Sequence, residues 1–227
     1  GDLVLESNKF SWNKASAEDV KANFNFISDK VDYEIKGSIC HGEIESKGSI
    51  TGLGERPVMD GDWIMKGVEI KEVMSSFENF DQTFITSDNI KGKTNVWAHV
   101  KIPYDDSGNI IKNGVSVQSA IHVKDGELKD MKTLEDFSKY VHVDDLKDIH
   151  FNEFRNYLKI ENSKVYIPVV FIQSNAINMS VSGEHSFDQH ILYDLKINAG
   201  QAASNKLRKL DPLKRFKPAR KSGWINL

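Results

Sequence analysis

The sequence predicts a mainly β protein, built on one large sheet with an apolar face and a polar face. Apolar and polar residues alternate in many segments, and a period of two places the apolar ones on one side of a strand. Such segments recur at roughly 8–12-residue spacing, and only three short stretches have a helical pattern. The hydrophobic content of 39% over 227 residues allows a core, although a lean one. We therefore expect residues 1–198 to form a single β domain.

The N-terminal third supplies the first strands. Leu3–Trp12 is predicted as a pair of strands with a Ser-Asn turn, and Ser16–Asp19 as a helical turn or a loop. From Val31 to Ile39, apolar and polar residues alternate. Lys36-Gly-Ser-Ile39 recurs eleven residues later as Lys47-Gly-Ser-Ile50, and this echo with its glycines indicates a hairpin meander.

Three segments are predicted as short helices. In Val68–Phe80 the apolar residues form one stripe of an amphipathic helix. Thr133-Leu-Glu-Asp136 resembles a capping box and opens a second helix that carries Phe137 and Tyr140. Asn152–Leu158 is the third, with Phe151, Phe154 and Leu158 directed inward.

The C-terminal half returns to the strand pattern. Asn95–Ile102 and Val115–Val123 alternate, and Lys164–Ile172 is a strong strand in which Pro168 indicates an edge or a bulge. Met179–Ile197 is predicted as two strands joined by a polar turn. Alternation of this kind usually forms the core of a sandwich or barrel, but a groove that stays open would use the same pattern.

The chain ends in a basic segment. From Ala199 onward there are eight Lys/Arg and one acid, a net +7, which leaves −10 for residues 1–198 of the total of −3. Residues 199–223 are predicted as a linker or helix, and 224–227 as the start of a further strand. The basic residues could be a solvated linker, a surface for anionic lipid headgroups, or a nucleic-acid contact, and no nucleic-acid-binding module is visible. The candidate headgroup contacts are Lys206, Arg208, Lys209, Lys214 and Arg215.

No motif for catalysis, cofactors or metals stands out. The chain has no phosphate-binding loop and no dinucleotide fingerprint, and its single cysteine, Cys40, excludes both an internal disulfide and a thiolate zinc site. His185 and His190 flank the predicted hairpin turn with Asp188, either as two metal ligands or, as we favour, as exposed turn residues. The acid pairs Asp105-Asp106 and Asp144-Asp145 are the candidates for a hydrolase, but both lie in turn-like sequence. His99 and His122 fall on the polar faces of their strands. We predict no catalytic residue, no cofactor and no metal.

One resemblance goes beyond these patterns. The region from Val123 to Lys196 resembles the C-terminal part of the AsmA family, especially its Bacteroidetes-type members. The matching segments, in order, are Asp125-Gly-Glu-Leu128, Asp148-Ile-His-Phe151 with Phe154, Leu158-Lys-Ile160, Val165-Tyr-Ile167, Ile172-Gln-Ser-Asn175, Val181–Asp188 and Ile191–Leu195. Upstream, Val68–Phe80 followed by Ile90-Lys-Gly-Lys93 is similar to the family's helix-then-strand unit.

The resemblance implies a fold and a function. The family is similar to bridge-like lipid-transfer proteins, so we expect a long twisted, largely antiparallel sheet that curves into a trough, with two or three short helices. It implies a periplasmic domain of a non-enzymatic outer-membrane-biogenesis protein, whose parent is anchored in the inner membrane by an N-terminal helix absent from this chain. The implied partner is phospholipid, with envelope proteins also possible and nucleic acid not expected.

The expected lipid-facing residues are Val31, Tyr33, Ile35, Val96, Val100, Val117, Ile121, Val165, Ile167, Val181, Ile191, Tyr193 and Leu195. Two other functions stay open: a periplasmic scaffold that binds proteins through its sheet edges, and a hydrolase with a polar cleft.

Overall fold

The prediction of a mainly β fold is confirmed by a computed structural model, which describes residues 1–12, 14–81, 85–130, 147–174, 178–188, 190–198 and 224–226. Twelve strands form one open antiparallel sheet in the order of the chain, and its shape is consistent with a curved trough. The strands are β1 (Asp2–Trp12), β2 (Ala15–Ile27), β3 (Lys30–Ile39), β4 (Gly42–Thr51), β5 (Val58–Glu69), β6 (Ile90–Pro103), β7 (Ser116–Lys129), β8 (Asp148–Glu161), β9 (Lys164–Ile172), β10 (Met179–Ser186), β11 (Ile191–Asn198) and β12 (Trp224–Asn226).

Helical structure in the described part of the chain is sparse. One α-helix, α1 (Ile70–Ser76), follows β5, and 3-10 turns occupy Glu78–Asp81 and Lys112–Gly114. The helix predicted over Val68–Phe80 is thus shorter than expected at both ends. Its first two residues complete β5, and the positive φ angles of Glu78 (52°) and Asn79 (56°) end its continuation. The helix predicted from Thr133 lies outside the described residues.

Three other predictions about elements were wrong. Leu3–Trp12 is one uninterrupted strand, because β1 pairs with β2 in a single register from Asp2 to Trp12. Ser16–Asp19 is part of β2 rather than a helical turn or loop. Asn152–Leu158 lies within strand β8, which pairs with β7 along its length, and is not a helix.

Two predicted hairpins are confirmed. The two Lys-Gly-Ser-Ile segments lie in β3 and β4, joined by Cys40 and His41 with φ angles of 49° and 61°. Positive φ at both central residues matches a type I′ turn, whose twist suits a two-residue hairpin. Met179–Ile197 forms β10 and β11, paired from Met179↔Ile197 to His185↔Ile191.

Bulges interrupt the ladder at four places. Asp19-Val20 in β2, Lys66-Gly67 in β5 and Asp125-Gly126 in β7 each oppose a single residue of an adjacent strand, which is β3, β6 and β6 respectively. Each pair contains a residue with φ between 50° and 65°. In β9, Pro168-Val169 opposes Ser182, which confirms the bulge that Pro168 indicated. A bulge bends its strand and increases the local twist, so these four contribute to the curvature of the sheet.

One group of deeply buried residues lies at the end of the sheet that carries α1. Val68 and Ile149 are fully buried, and Thr94 and Val123 are 4% and 3% exposed. Val68, Thr94 and Val123 are consecutive partners across β5, β6 and β7, and α1 begins directly after β5 and contacts β6. The helix therefore covers one end of this face of the sheet, and the rest of the face has no second layer among the described residues.

Candidate functional site

Strand register defines one continuous face of the sheet, which we call the apolar face. Directly opposed residues of antiparallel strands point to the same side. Starting from Tyr33, one row of opposed residues crosses nine strands from β3 to β11, through Gly48, Gly61, Val100, Val117, Ile160, Val165, His185 and Ile191. The apolar face is the side that carries this row and its parallel neighbours.

All thirteen residues predicted to face lipid lie on the apolar face. Val31, Tyr33 and Val100 are buried, while the side chain of Ile191 is outside the description. The other nine are half-buried, namely Ile35, Val96, Val117, Ile121, Val165, Ile167, Val181, Tyr193 and Leu195. Half-burial is what an apolar surface shows when neighbouring side chains crowd it but no second layer seals it. Their contact with lipid stays a prediction.

Charged side chains are absent from the apolar face in the strands that the structure describes. In the described strands β3 to β11, no Lys, Arg, Asp or Glu pairs onto the apolar face, and one histidine, His185, does. Strand positions hold charged side chains at low cost on a wetted surface, but an unpaired charge in an apolar setting is expensive. The sequence thus keeps this side of nine strands free of fixed charge.

The charged side chains occupy the opposite, polar face. Lys36 Nζ lies 2.8 Å from Glu34 and 3.3 Å from Glu45, and the hydrogen bond with Lys36 lowers the pKa of Glu34. His99 lies 3.0 Å from Asp62 and 3.3 Å from Asp60. A groove of about 1000 Å³ crosses this face between the side-chain rows of β1 to β6. His99 and His122 thus lie where their strand patterns placed them.

His185 is not the exposed turn residue that the sequence indicated. It lies within β10 on the apolar face, half-buried, with Nδ1 2.9 Å from Tyr193 Oη. Burial lowers the pKa of His185 and raises the pKa of Tyr193, so both side chains are held neutral near pH 7. His190 is exposed and approaches Asp188 at 3.8 Å, so the two histidines have separate partners and do not form a joint metal site.

Of the two acid pairs proposed for a hydrolase, Asp105 has structural partners. Asp105 accepts hydrogen bonds from the backbone of Asn109 at 2.8 Å and Ser107 at 2.9 Å, and the bond from Asn109 is the main cause of its lowered pKa. A carboxyl held ionised within its own turn is a poor general acid. Asp144 and Asp145 lie outside the described residues.

One cluster has metal-ligand composition. Glu127, Asp148 and His150 offer ligand atoms that lie within 4.8 Å of one another on the polar face. Lys91 lies 3.4 Å from the Glu127 carboxylate, Lys129 also contacts it, and His150 lies 2.9 Å from Asp148. The two ammonium groups take the place of a cation at Glu127, so this cluster is an ion-pair network.

Sequence reasoning missed two polar members of the apolar face. Ser46 and Trp63 are direct partners in β4 and β5, on the same side as Tyr33. The sequence did indicate that Ser46 lies on the apolar face, because Ser46 alternates in phase with Ile44 and Ile50. The five candidate headgroup contacts of the basic tail lie outside the described residues, so their role stays a prediction.

Two further observations bear on function. No helix in the described ranges is long and apolar enough to cross a membrane. No protein-family model, curated protein or solved structure matches the chain.

Proposed function

We propose that the apolar face holds the acyl chains of a phospholipid, and that the protein is a non-enzymatic, lipid-handling domain. The observation that carries the proposal is the uncharged face that crosses β3 to β11, half-buried and without a covering layer in the described part of the chain. Together with the AsmA-like order of motifs, it favours a place in the periplasm, in a protein of outer-membrane biogenesis.

The dimensions of the face suit such a ligand. Nine strands spaced about 4.8 Å apart span about 38 Å. The hydrocarbon core of a bilayer is about 30 Å thick, so one acyl chain reaches about half of that distance. Each methylene removed from water contributes about 0.8 kcal/mol, so even partial coverage of a chain by this face gives useful affinity.

Two linked measurements test the proposal. The protein is purified without detergent, and native mass spectrometry is expected to detect bound phospholipid. A phospholipid with a photoreactive diazirine in its acyl chain is then expected to cross-link to Val96 and Ile121, and not to their polar-face neighbours Trp97 and Ala120. Failure to bind any phospholipid, or equal cross-linking to both faces, contradicts the proposal.

A second candidate function rests on the N-terminal edge of the sheet. The eleven-residue strand β1 pairs with β2 alone among the described strands, and Leu3, Val4, Leu5 and Phe10 on it are 43–64% exposed. Long apolar edge strands are templates for strand addition. On this alternative, the protein is a scaffold that binds an extended segment of a second copy of itself along β1.

Substituting a lysine into the edge strand β1 tests the scaffold function separately from lipid binding. Leu5→Lys is expected to weaken edge-to-edge self-association, measured by analytical ultracentrifugation at high protein concentration, because edge lysines oppose added strands. Val169→Lys is the matched control, since Val169 is 73% exposed but lies on the interior strand β9. A wild-type protein that stays monomeric and shows no β1 cross-links between molecules contradicts the scaffold function.

A further inference from the structure

Three polar atoms are buried on the apolar face without a hydrogen-bond partner among the described residues. They are Tyr33 Oη, Ser46 Oγ and Trp63 Nε1. Tyr33 and Ser46 are each only 6% exposed. Buried donors are nearly always paired in folded proteins, and an unpaired one costs about 1–3 kcal/mol. Three such groups on one face therefore call for an explanation.

Register brings the three groups to one place. Ser46 and Trp63 oppose each other in β4 and β5, and two residues along the same strands Gly48 opposes Gly61. The Tyr33 side chain reaches over these glycines from β3. A Cβ on Gly48 would lie 2.9 Å from Tyr33 Oη, and one on Gly61 2.5 Å. The glycines thus make room for the phenol in the row next to the Ser46–Trp63 pair, and we call these three side chains the donor patch.

The other hydroxyls of the apolar face behave differently. Ser119 donates to the carbonyl of Leu158 at 3.2 Å, and Thr94 to the carbonyl of His122 at 3.3 Å. Both are as buried as Ser46. A hydroxyl on a strand of this sheet can thus donate a hydrogen bond to a backbone carbonyl of the neighbouring strand, but the Ser46 hydroxyl does not. The donor patch is a local exception to the pattern of the face.

The chemistry of the patch limits what can pair with it. Trp63 Nε1 can only donate, and the hydroxyls of Tyr33 and Ser46 can donate as well as accept. No cationic side chain in the described strands β3 to β11 lies on this face. A carboxylate or phosphate buried here would lack a counter-charge, which is costly. The suitable ligand group is a neutral carbonyl within an otherwise apolar molecule.

We propose that the donor patch binds the ester carbonyls of acyl chains held on the apolar face. The inference rests on the proposed function and names the chemical group that the trough recognises. The donor atoms are covered in this structure, so a bound ester displaces the Tyr33 ring from its place over Gly48 and Gly61. The donor patch then fixes the position of the glycerol end of the lipid on the sheet, while the acyl chains lie along the apolar face.

Lipids that differ only in the carbonyl test this inference. Two phosphatidylcholines with the same chain length are compared, one with ester-linked and one with ether-linked chains, by displacement of a fluorescent phospholipid from the full chain. The ester lipid is expected to bind about tenfold more tightly, as one to two net hydrogen bonds would give. Tyr33→Phe, Ser46→Ala and Trp63→Phe each reduce that ratio, and Ser119→Ala leaves it unchanged because Ser119 is already paired.

The outcomes distinguish a failure of the donor patch from a failure of the proposed lipid-binding function. Equal binding of both lipids by the wild type overturns the donor patch, as expected if buried water satisfies these groups, and leaves the proposed function standing. An ester preference that survives all three substitutions also overturns the patch. Binding of neither lipid contradicts the proposed function itself. Thermal melting checks the variants, and Tyr33→Phe is expected not to lower Tm, because it removes an oxygen that has no partner.

Discussion

Val96→Glu is expected to reduce phospholipid binding at least a hundredfold, and Trp97→Glu to leave it near the wild-type value. Val96 is half-buried on the apolar face, opposed by Met65 and Ile121. A carboxylate there would meet acyl chains with no cation in reach, and an unpaired buried charge costs several kcal/mol. Trp97 is the next residue of β6, points to the polar face and is 46% exposed.

Equilibrium binding of a fluorescent phospholipid measures both variants, after far-ultraviolet circular dichroism has shown that each retains its sheet. The two glutamates are adjacent on the same strand and change the net charge equally, but they lie on opposite faces of the sheet. If Val96→Glu does not fold, the neutral variant Val96→Ser replaces it in the binding measurement. Val96→Ser is expected to fold and to lose less affinity for phospholipid than a folded Val96→Glu protein would. Wild-type affinity in a folded Val96→Glu protein would refute the assignment of the lipid to this face.

Gly126→Ala is expected to lower the free energy of unfolding by about 3 kcal/mol, a severe effect for one methyl group. A Cβ on Gly126 would lie 2.0 Å from Cζ of Phe151, its partner on β8. Phe151 is 7% exposed and stands beside the fully buried Ile149, so the ring has little space to retreat. The glycine is required because the tip of the Phe151 ring occupies the space that a Cβ would take.

Gly54→Ala is the control for this substitution. A Cβ on Gly54 would meet no atom within 4 Å, so the same change is expected to alter stability by less than about 0.5 kcal/mol. Urea unfolding followed by circular dichroism gives both values. Equal stability of Gly126→Ala and the wild type would show that Phe151 does not occupy this position in solution.

The sequence pattern located the face better than it located the elements. Alternation alone placed Val31, Val117 and Val181, on strands far apart in the chain, on the same side of the sheet, because antiparallel pairing carries a period of two from strand to strand. That inference needs no knowledge of loop lengths or helix positions. It does depend on register, which the turns between strands maintain.

The misassigned β8 shows the physical limit of that reasoning. Phe151 and Phe154 are both turned toward the apolar side although they are three residues apart, a spacing typical of a helix. The alternation changes phase at Asn152 and Glu153, which are both exposed and lie beside the bulge of β7 at Asp125, whose φ is 50°. A bulge shifts the pattern by one residue, and a shifted period of two imitates a period of 3.6 over a short window.

The donor patch could not have been predicted for a different reason. Ser46 and Trp63 are ordinary strand residues, and Ser46 resembles Ser119 in every local respect. What distinguishes them is whether a neighbouring carbonyl lies within reach, 3.2 Å for Ser119 and none for Ser46. Hydrogen-bond satisfaction depends on the fine position of adjacent strands, and residue type does not encode it.

The strict chain order of the strands also governs how the sheet assembles. Each strand after β1 pairs with the strand that precedes it in the chain. The sheet can therefore form by successive local pairings, without contacts between strands distant in sequence. Such quasi-one-dimensional sheets nucleate locally and propagate, and they unravel from their ends. The connection between β5 and β6, residues 70–89, is the longest between consecutive strands up to β11 because it contains α1, and it is the natural pause in that progression.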